Sequence, residues 1–178
     1  MFIATSLDGF IARPDGGLDW LERPGTPADE DYGYGDFMAS VDALVMGRHT
    51  FEKVLGFDPW PYGDKRVVVL SSRGVAVPEA LARTVSARAG SPDEVLEALA
   101  REGVSHVYLD GGVTIQRFLA AGAVDALTLT RIPVLLGAGI PLFGHLDRDI
   151  PLEHVETRAW EGGFVQSRYR VARGGAAG

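Results

Sequence analysis

Leu44-Val45-Met46-Gly47-Arg48-His49-Thr50-Phe51-Glu52 decides how this chain is organised, because an apolar strand passes through a single glycine directly into a segment with helical spacing. The pattern recurs on both sides. Strands are expected at Phe2–Ser6, Ala43–Met46, Arg66–Leu70, Thr84–Ala87, His106–Leu109 and Ala126–Val134. Helical spacing fills Asp29–Ser40, Arg48–Leu55, Asp93–Glu102 and Thr114–Ala121, the third opened by Ser91-Pro92 as N-cap and first helical residue. Gly103 and Gly122 supply stops. Such alternation predicts an α/β fold with helices covering a mostly parallel central sheet. After Gly144 the pattern changes to Leu152–Trp160 and Phe164–Val171, two runs joined by Glu161-Gly162-Gly163 that read as a C-terminal antiparallel hairpin.

The 178 residues, 46% hydrophobic and 23% charged, suit one domain over residues 1–172, followed by a flexible Gly/Ala-rich tail at 173–178. A formal charge of −7 gives no general attraction to nucleic acid or to anionic membrane, and neither partner is expected. Cysteine is absent, which excludes a thiolate nucleophile and a disulfide framework. His49, His106, His145 and His154 lack the short spacing of a metal-binding helix, so no metal is expected. The N-terminal residues lack the basic and apolar stretches of a signal peptide, and the longest nearly uncharged apolar segment, Ile132–Phe143, is interrupted by two prolines. A cytoplasmic protein is the expectation.

Two strand-to-helix junctions look built for phosphates. Gly47-Arg48-His49-Thr50 places a guanidinium, an imidazole and a hydroxyl at a helix N-terminus, where free N–H groups and the helix dipole favour an anion. Val107-Tyr108-Leu109 leads through Asp110 into Gly111-Gly112, where the lack of side chains lets a diphosphate approach the backbone. Leu70-Ser71-Ser72-Arg73 ends another strand with two hydroxyls and a cation. Singly, each also describes an ordinary turn or surface loop. Together, at the carboxyl ends of strands, they describe a dinucleotide bearing an extra phosphate.

Val45-Met46-Gly47-Arg48-His49-Thr50-Phe51-Glu52, followed by Arg66-Val67-Val68-Val69-Leu70-Ser71-Ser72-Arg73, resembles the cofactor-binding core of dihydrofolate reductases. Ser6-Leu7-Asp8-Gly9-Phe10-Ile11-Ala12 and Pro133-Val134-Leu135-Leu136-Gly137-Ala138-Gly139-Ile140-Pro141-Leu142-Phe143 look more like the reductase domain at the C-terminal end of bacterial riboflavin-biosynthesis (RibD) proteins. Both families share one superfamily, and the similarity runs from Phe2 to Val171. It implies a three-layer αβα fold and NADPH as cofactor. Ala4 and Ile11 would border the nicotinamide. Gly47, Arg48, His49 and Thr50, with Leu70, Ser71, Ser72 and Arg73, would serve the adenosine and its phosphates, and Gly111, Gly112, Val113 and Thr114 the pyrophosphate.

The substrate side leaves alternatives open. Dihydrofolate reductases carry an acidic residue on the first helix; two alignments of that helix lead to Asp31 or to the neighbourhood of Asp36, and either carboxylate also suits a helix dipole. Asp8 follows the first strand and either faces substrate or bonds the backbone of the turn that Gly9 permits. Trp20 resembles the tryptophan of a mobile active-site loop, and Lys65 replaces the arginine that grips the folate tail. The expected activity is hydride transfer from NADPH to a pterin-like or riboflavin-precursor-like aminopyrimidine heterocycle. The alternative is a non-catalytic nucleotide, flavin or pterin binding protein on the same fold. A homodimer is expected from the resemblance and from the apolar segment Ile132–Phe143.

Overall fold

The computed structural model describes residues 1–21 and 30–172. In chain order its elements are β1 (Phe2–Ser6), β2 (Phe10–Ala12), α1 (Tyr34–Ser40), β3 (Ala43–Gly47), α2 (Arg48–Val54), β4 (Arg66–Leu70), β5 (Val85–Arg88) and α3 (Pro92–Arg101). There follow β6 (Val107–Asp110), α4 (Gly112–Ala120), β7 (Ala126–Ile132), β8 (Ile140–Pro141), β9 (Leu152–Ala159) and β10 (Val165–Val171). They divide into two compact units, one of Met1–Gly33 with Val124–Gly178, the other of Tyr34–Ala123. The expected tail at 173–178 and the expected helix start at Asp29 lie outside the described residues.

The Tyr34–Ala123 unit is a four-stranded, fully parallel sheet in the order β5-β4-β3-β6. A parallel sheet is covered on both faces, and the sequence complies. Ala43, Leu44, Val45 and Met46 of β3 and Val67, Val68 and Val69 of β4 are fully buried, as are Phe51, Leu99, Ile115 and Phe118 of the helices. Helix α3 shows why these residues make that helix. Ser91 accepts a hydrogen bond from the Glu94 amide while the Glu94 carboxylate accepts from the Ser91 amide, a complete capping box with Pro92 in the first turn. Gly103, at φ +83°, ends it as expected. The entrance to β6 is fixed by Asp42, whose carboxylate accepts from the Ser105 and His106 amides and the Ser105 hydroxyl.

In the other unit β1 pairs in parallel with β7, and β10 joins β7 and β9 antiparallel, giving the order β1-β7-β10-β9. The C-terminal hairpin is therefore β9–β10, within one residue at each expected end. Strand β7 stops at Ile132, two residues before the expected Val134, because Pro133 has no N–H for the ladder. The two short strands β2 and β8 were not expected; they pair antiparallel, and a Cβ at Gly139 would stand 2.4 Å from the Ala12 carbonyl oxygen.

Helix α1 corrects the expected helix over Asp29–Ser40. It begins at Tyr34, because Tyr32 (φ +56°) and Gly33 (φ +80°) take left-handed conformations that no right-handed helix continues through. Asp31 therefore precedes the helix, and its carboxylate accepts from the Gly33 amide at 2.8 Å, stabilising the turn.

Candidate functional site

Within the parallel sheet, β3 sends its helix toward β4 on one side while β6 enters on the other, so the chain order reverses between β3 and β6. Ligands of open parallel sheets bind beyond the carboxyl ends of strands at such a reversal. The register places Met46 opposite Asp110 and Gly47 opposite Leu70, which brings the three corners singled out from the sequence side by side on one edge. Two of them touch: a Cβ at Gly111 would lie 2.1 Å from Thr50 Oγ1, and one at Gly47 would lie 3.2 Å from Thr114 Oγ1.

Helix α4 opens behind Gly111, at φ +85°, whose lack of a side chain leaves the first-turn amides of Gly112, Val113 and Thr114 without an N-cap acceptor. Thr114 and Gly112 are buried and Val113 is exposed. Arg48 is half-buried and lies 3.6 Å from Glu52, one turn on; His49 is exposed and also faces Glu52, at 3.3 Å. Ser71 donates its hydroxyl to the Gly74 carbonyl and accepts from the Arg73 amide, which shapes the turn and leaves Ser72 and Arg73 exposed.

One residue at this edge escaped the sequence reading. Asp110, treated only as the lead into two glycines, accepts from the Tyr62 hydroxyl at 2.9 Å and from the Gly111 amide at 2.8 Å. Burial raises its pKa above the ordinary carboxylate value, although both hydrogen bonds act the other way. Burial, then the Asp110 charge, push Tyr34 up to about 12 and Tyr62 higher still. Trp60 meets Tyr62 edge-on at 5.2 Å and Phe51 at 6.1 Å, completing an aromatic surround. The available signal was an acid ending the apolar run Val107-Tyr108-Leu109. Lys65 is engaged elsewhere, donating to the Val41 carbonyl at 2.6 Å.

The remaining candidates sit on β1, β2, α1 and the turns that adjoin them. Asp8 is exposed and its pKa is lowered, first by the Ser6 hydroxyl at 2.6 Å and then by the Gly137 and Leu136 amides. It ties the turn after β1 to the loop after β7, and is not the shielded acid with a raised pKa expected of a proton donor. Asp31 and Asp36 are exposed, Asp36 in the first turn of α1. Trp20 is buried with Ile132 and Phe164, with Ala4, Tyr32 and Trp160 packed around them; in this conformation it is core. Ala4 sits on β1 opposite Thr130, and Ile11 in the middle of β2.

A model of the RibD C-terminal domain family matches residues 1–165. The chain belongs to that family. It is 34% identical over 171 residues to the uncharacterised protein YwjB of Bacillus subtilis (strain 168), covering 95% of each chain. A crystal structure from Shewanella sp. PV-4, of a protein only provisionally assigned to riboflavin biosynthesis, shares 41% identity with a TM-score of 0.91 over 97% of each chain. Dihydrofolate reductase from Enterococcus faecalis matches with a TM-score of 0.63 at 23% identity, over 96% of this chain and 94% of that one, which shows the shared fold. RibD C-terminal domain proteins are a family of NADPH-dependent reductases, and the donors present here fit the cofactor's phosphates. Uncapped first-turn amides behind Gly111-Gly112 suit a pyrophosphate, and Arg48 and Arg73 suit a further phosphate.

Proposed function

We propose that this protein is an NADPH-dependent reductase acting on a flat pterin-like or aminopyrimidine heterocycle. The observation carrying this reading is the carboxyl edge of the parallel sheet, where three anion-suited corners adjoin the shielded carboxyl of Asp110. When bound, NADPH supplies a hydride to an electrophilic carbon of the acceptor. The chain's own part is to hold the cofactor and deliver a proton to the adjacent acceptor atom. Gly112, Val113 and Thr114 receive the pyrophosphate on backbone amides, behind Gly111, whose own amide is bonded to Asp110. Arg48 with Arg73 and Ser72 receives the 2′-phosphate, with Gly47, His49, Thr50, Leu70 and Ser71 forming the surrounding corners. Burial raises the Asp110 pKa above the ordinary carboxylate value, the direction a general acid requires. That acid favours a reductase over a non-catalytic binding protein on the same fold.

Thermal shift tests the cofactor. Ligand at a hundredfold excess over Kd stabilises by about 2.7 kcal/mol, a Tm rise of roughly 5–10 °C for a chain of this size. NADPH is expected to produce it and NADH a much smaller one, with Arg48→Ala removing most of the difference. Equal shifts would overturn the 2′-phosphate assignment. NADPH oxidation against dihydrofolate, biopterins and a ribosylamino-pyrimidinone then tests the acceptor, and oxidation with none of them counts against the heterocycle.

A further inference from the structure

Two groups donate to the Asp110 carboxyl among the described residues, and they differ in kind. The Gly111 amide, 2.8 Å from Oδ1, is a backbone donor that can only donate. The Tyr62 hydroxyl, 2.9 Å from Oδ2, turns about its C–O bond, so it can donate to a carboxylate and accept from a protonated carboxyl. Tyr62 is buried, it lies 48 residues before Asp110 in the chain, and its ring stands edge-on to Trp60 at 5.2 Å. Burial, then the Asp110 charge, push its hydroxyl well above an ordinary phenol, so it keeps its own proton at any pH where the enzyme would work. Tyr34 on α1 and Tyr108 on β6 are also coupled to Asp110, and burial pushes both upward, so neither ionises in the range where a carboxyl does.

Resting on the reductase reading of this site, we propose that Tyr62 is a positioning residue, whose hydroxyl bond to Oδ2 stabilises the carboxylate left when Asp110 gives its proton to the acceptor. A hydrogen bond to an ionised acceptor is worth more than one to a neutral acceptor. The Tyr62 bond therefore strengthens as the proton leaves, at a place where burial disfavours the charge that appears. In the step itself the carboxyl O–H bond of Asp110 breaks, the acceptor atom beside the carbon receiving hydride gains that proton, and one proton from solvent restores the acid. Tyr62 acts only through Asp110 and loses no proton.

The test is a cycle of wild type, Tyr62→Phe, Asp110→Asn and the double variant, read first as Tm against pH. Phenylalanine keeps the ring against Trp60 and removes only the hydroxyl. At low pH Asp110 is protonated with or without that hydroxyl, and Tyr62→Phe should lose little. Removing a donor to the carboxylate raises the folded pKa of Asp110 further, so the Tm deficit of Tyr62→Phe should grow as pH rises from about 3 to about 7. In the Asp110→Asn background the deficit should be the same at every pH. The second readout is NADPH oxidation with an acceptor that supports turnover. There Tyr62→Phe should lower kcat roughly tenfold or more and move the alkaline limb of the pH–rate profile up by about one to two units, with the NADPH thermal shift unchanged. A purely structural role would lower the rate and leave the limb in place. A Tm deficit that does not change with pH overturns the assignment, as does one whose pH dependence survives in Asp110→Asn, or an alkaline limb at its wild-type position. Failure of the reductase reading looks different, since NADPH would then give no thermal shift, and the Tm cycle would still decide whether Tyr62 supports the carboxylate.

Discussion

Asp110 and Asp42 show how one residue type acquires opposite properties. Asp42 is exposed, accepts three hydrogen bonds from Ser105 and His106, and has its pKa lowered to about 2 by them. Asp110 accepts two, but burial outweighs them and raises its pKa. A folded pKa above the unfolded value means the folded state binds the proton more tightly, so Asp110 favours folding at low pH. That contribution is lost as pH rises from the unfolded carboxyl value of about 3.9 through the raised folded one. Asp110→Asn removes the penalty while keeping hydrogen-bonding atoms in place. Its Tm should exceed wild type at neutral pH and match it at low pH, while turnover falls by roughly 10² to 10⁴-fold and NADPH affinity is unchanged. Scanning calorimetry across pH with initial rates checks all three; unchanged turnover would remove Asp110 from the reaction. Neither aspartate's fate was legible in the sequence, because burial and long-range amide donors decide it. Asp8 makes the same point, its acceptors being used by amides from Leu136 and Gly137, far along the chain.

At the scale of elements the sequence was more informative, and the exceptions have local causes. Strands β1 and β4 begin and end where their apolar runs do, and the glycine stops fall where expected. Helix α1 is shorter because a backbone feature, the left-handed Tyr32-Gly33 pair, overrides side-chain spacing. Strands β2 and β8, of three and two residues, are too short for any periodicity to show. The β3–α2 and β6–α4 corners were legible as glycine-containing junctions, yet not their contact through Thr50 and Gly111. That contact predicts a graded series. Gly9→Ala meets nothing within 4 Å and should lose only the conformational strain of φ +85°, about 1–2 kcal/mol. Gly111→Ala, at the same φ, adds a collision with Thr50 Oγ1 and should lose distinctly more. Thr50→Ala should recover part of the loss in the Gly111→Ala background, since it removes the hydroxyl that collides. Urea unfolding of the three variants beside wild type measures this; equal losses for Gly9→Ala and Gly111→Ala would show that the corners yield.

For the whole molecule, the open question is whether one chain suffices. No described helix is long and apolar enough to cross a membrane. The segment Ile132–Phe143 divides into two kinds of residue: Ile132 and Leu142 are core, whereas Leu135 is 69% exposed and Phe143 47%. Leu7, 58% exposed, belongs with them, because its amide donates to the Val134 carbonyl and the Leu142 amide donates to the Gly9 carbonyl. Asp8 adds its bonds to Leu136 and Gly137, so the turn after β1 and the loop after β7 are held together. Apolar side chains displayed on a well-anchored loop are what a second copy would cover, and we propose a homodimer through this face. Light scattering at micromolar concentration should give about twice 19.1 kDa. Leu135→Asp and Phe143→Asp each place a charge in that contact and should shift the mass toward the monomer while far-UV circular dichroism stays unchanged, because neither side chain is part of the core. A wild-type mass of 19.1 kDa would leave the exposed leucines and phenylalanine without a partner copy and reject the dimer.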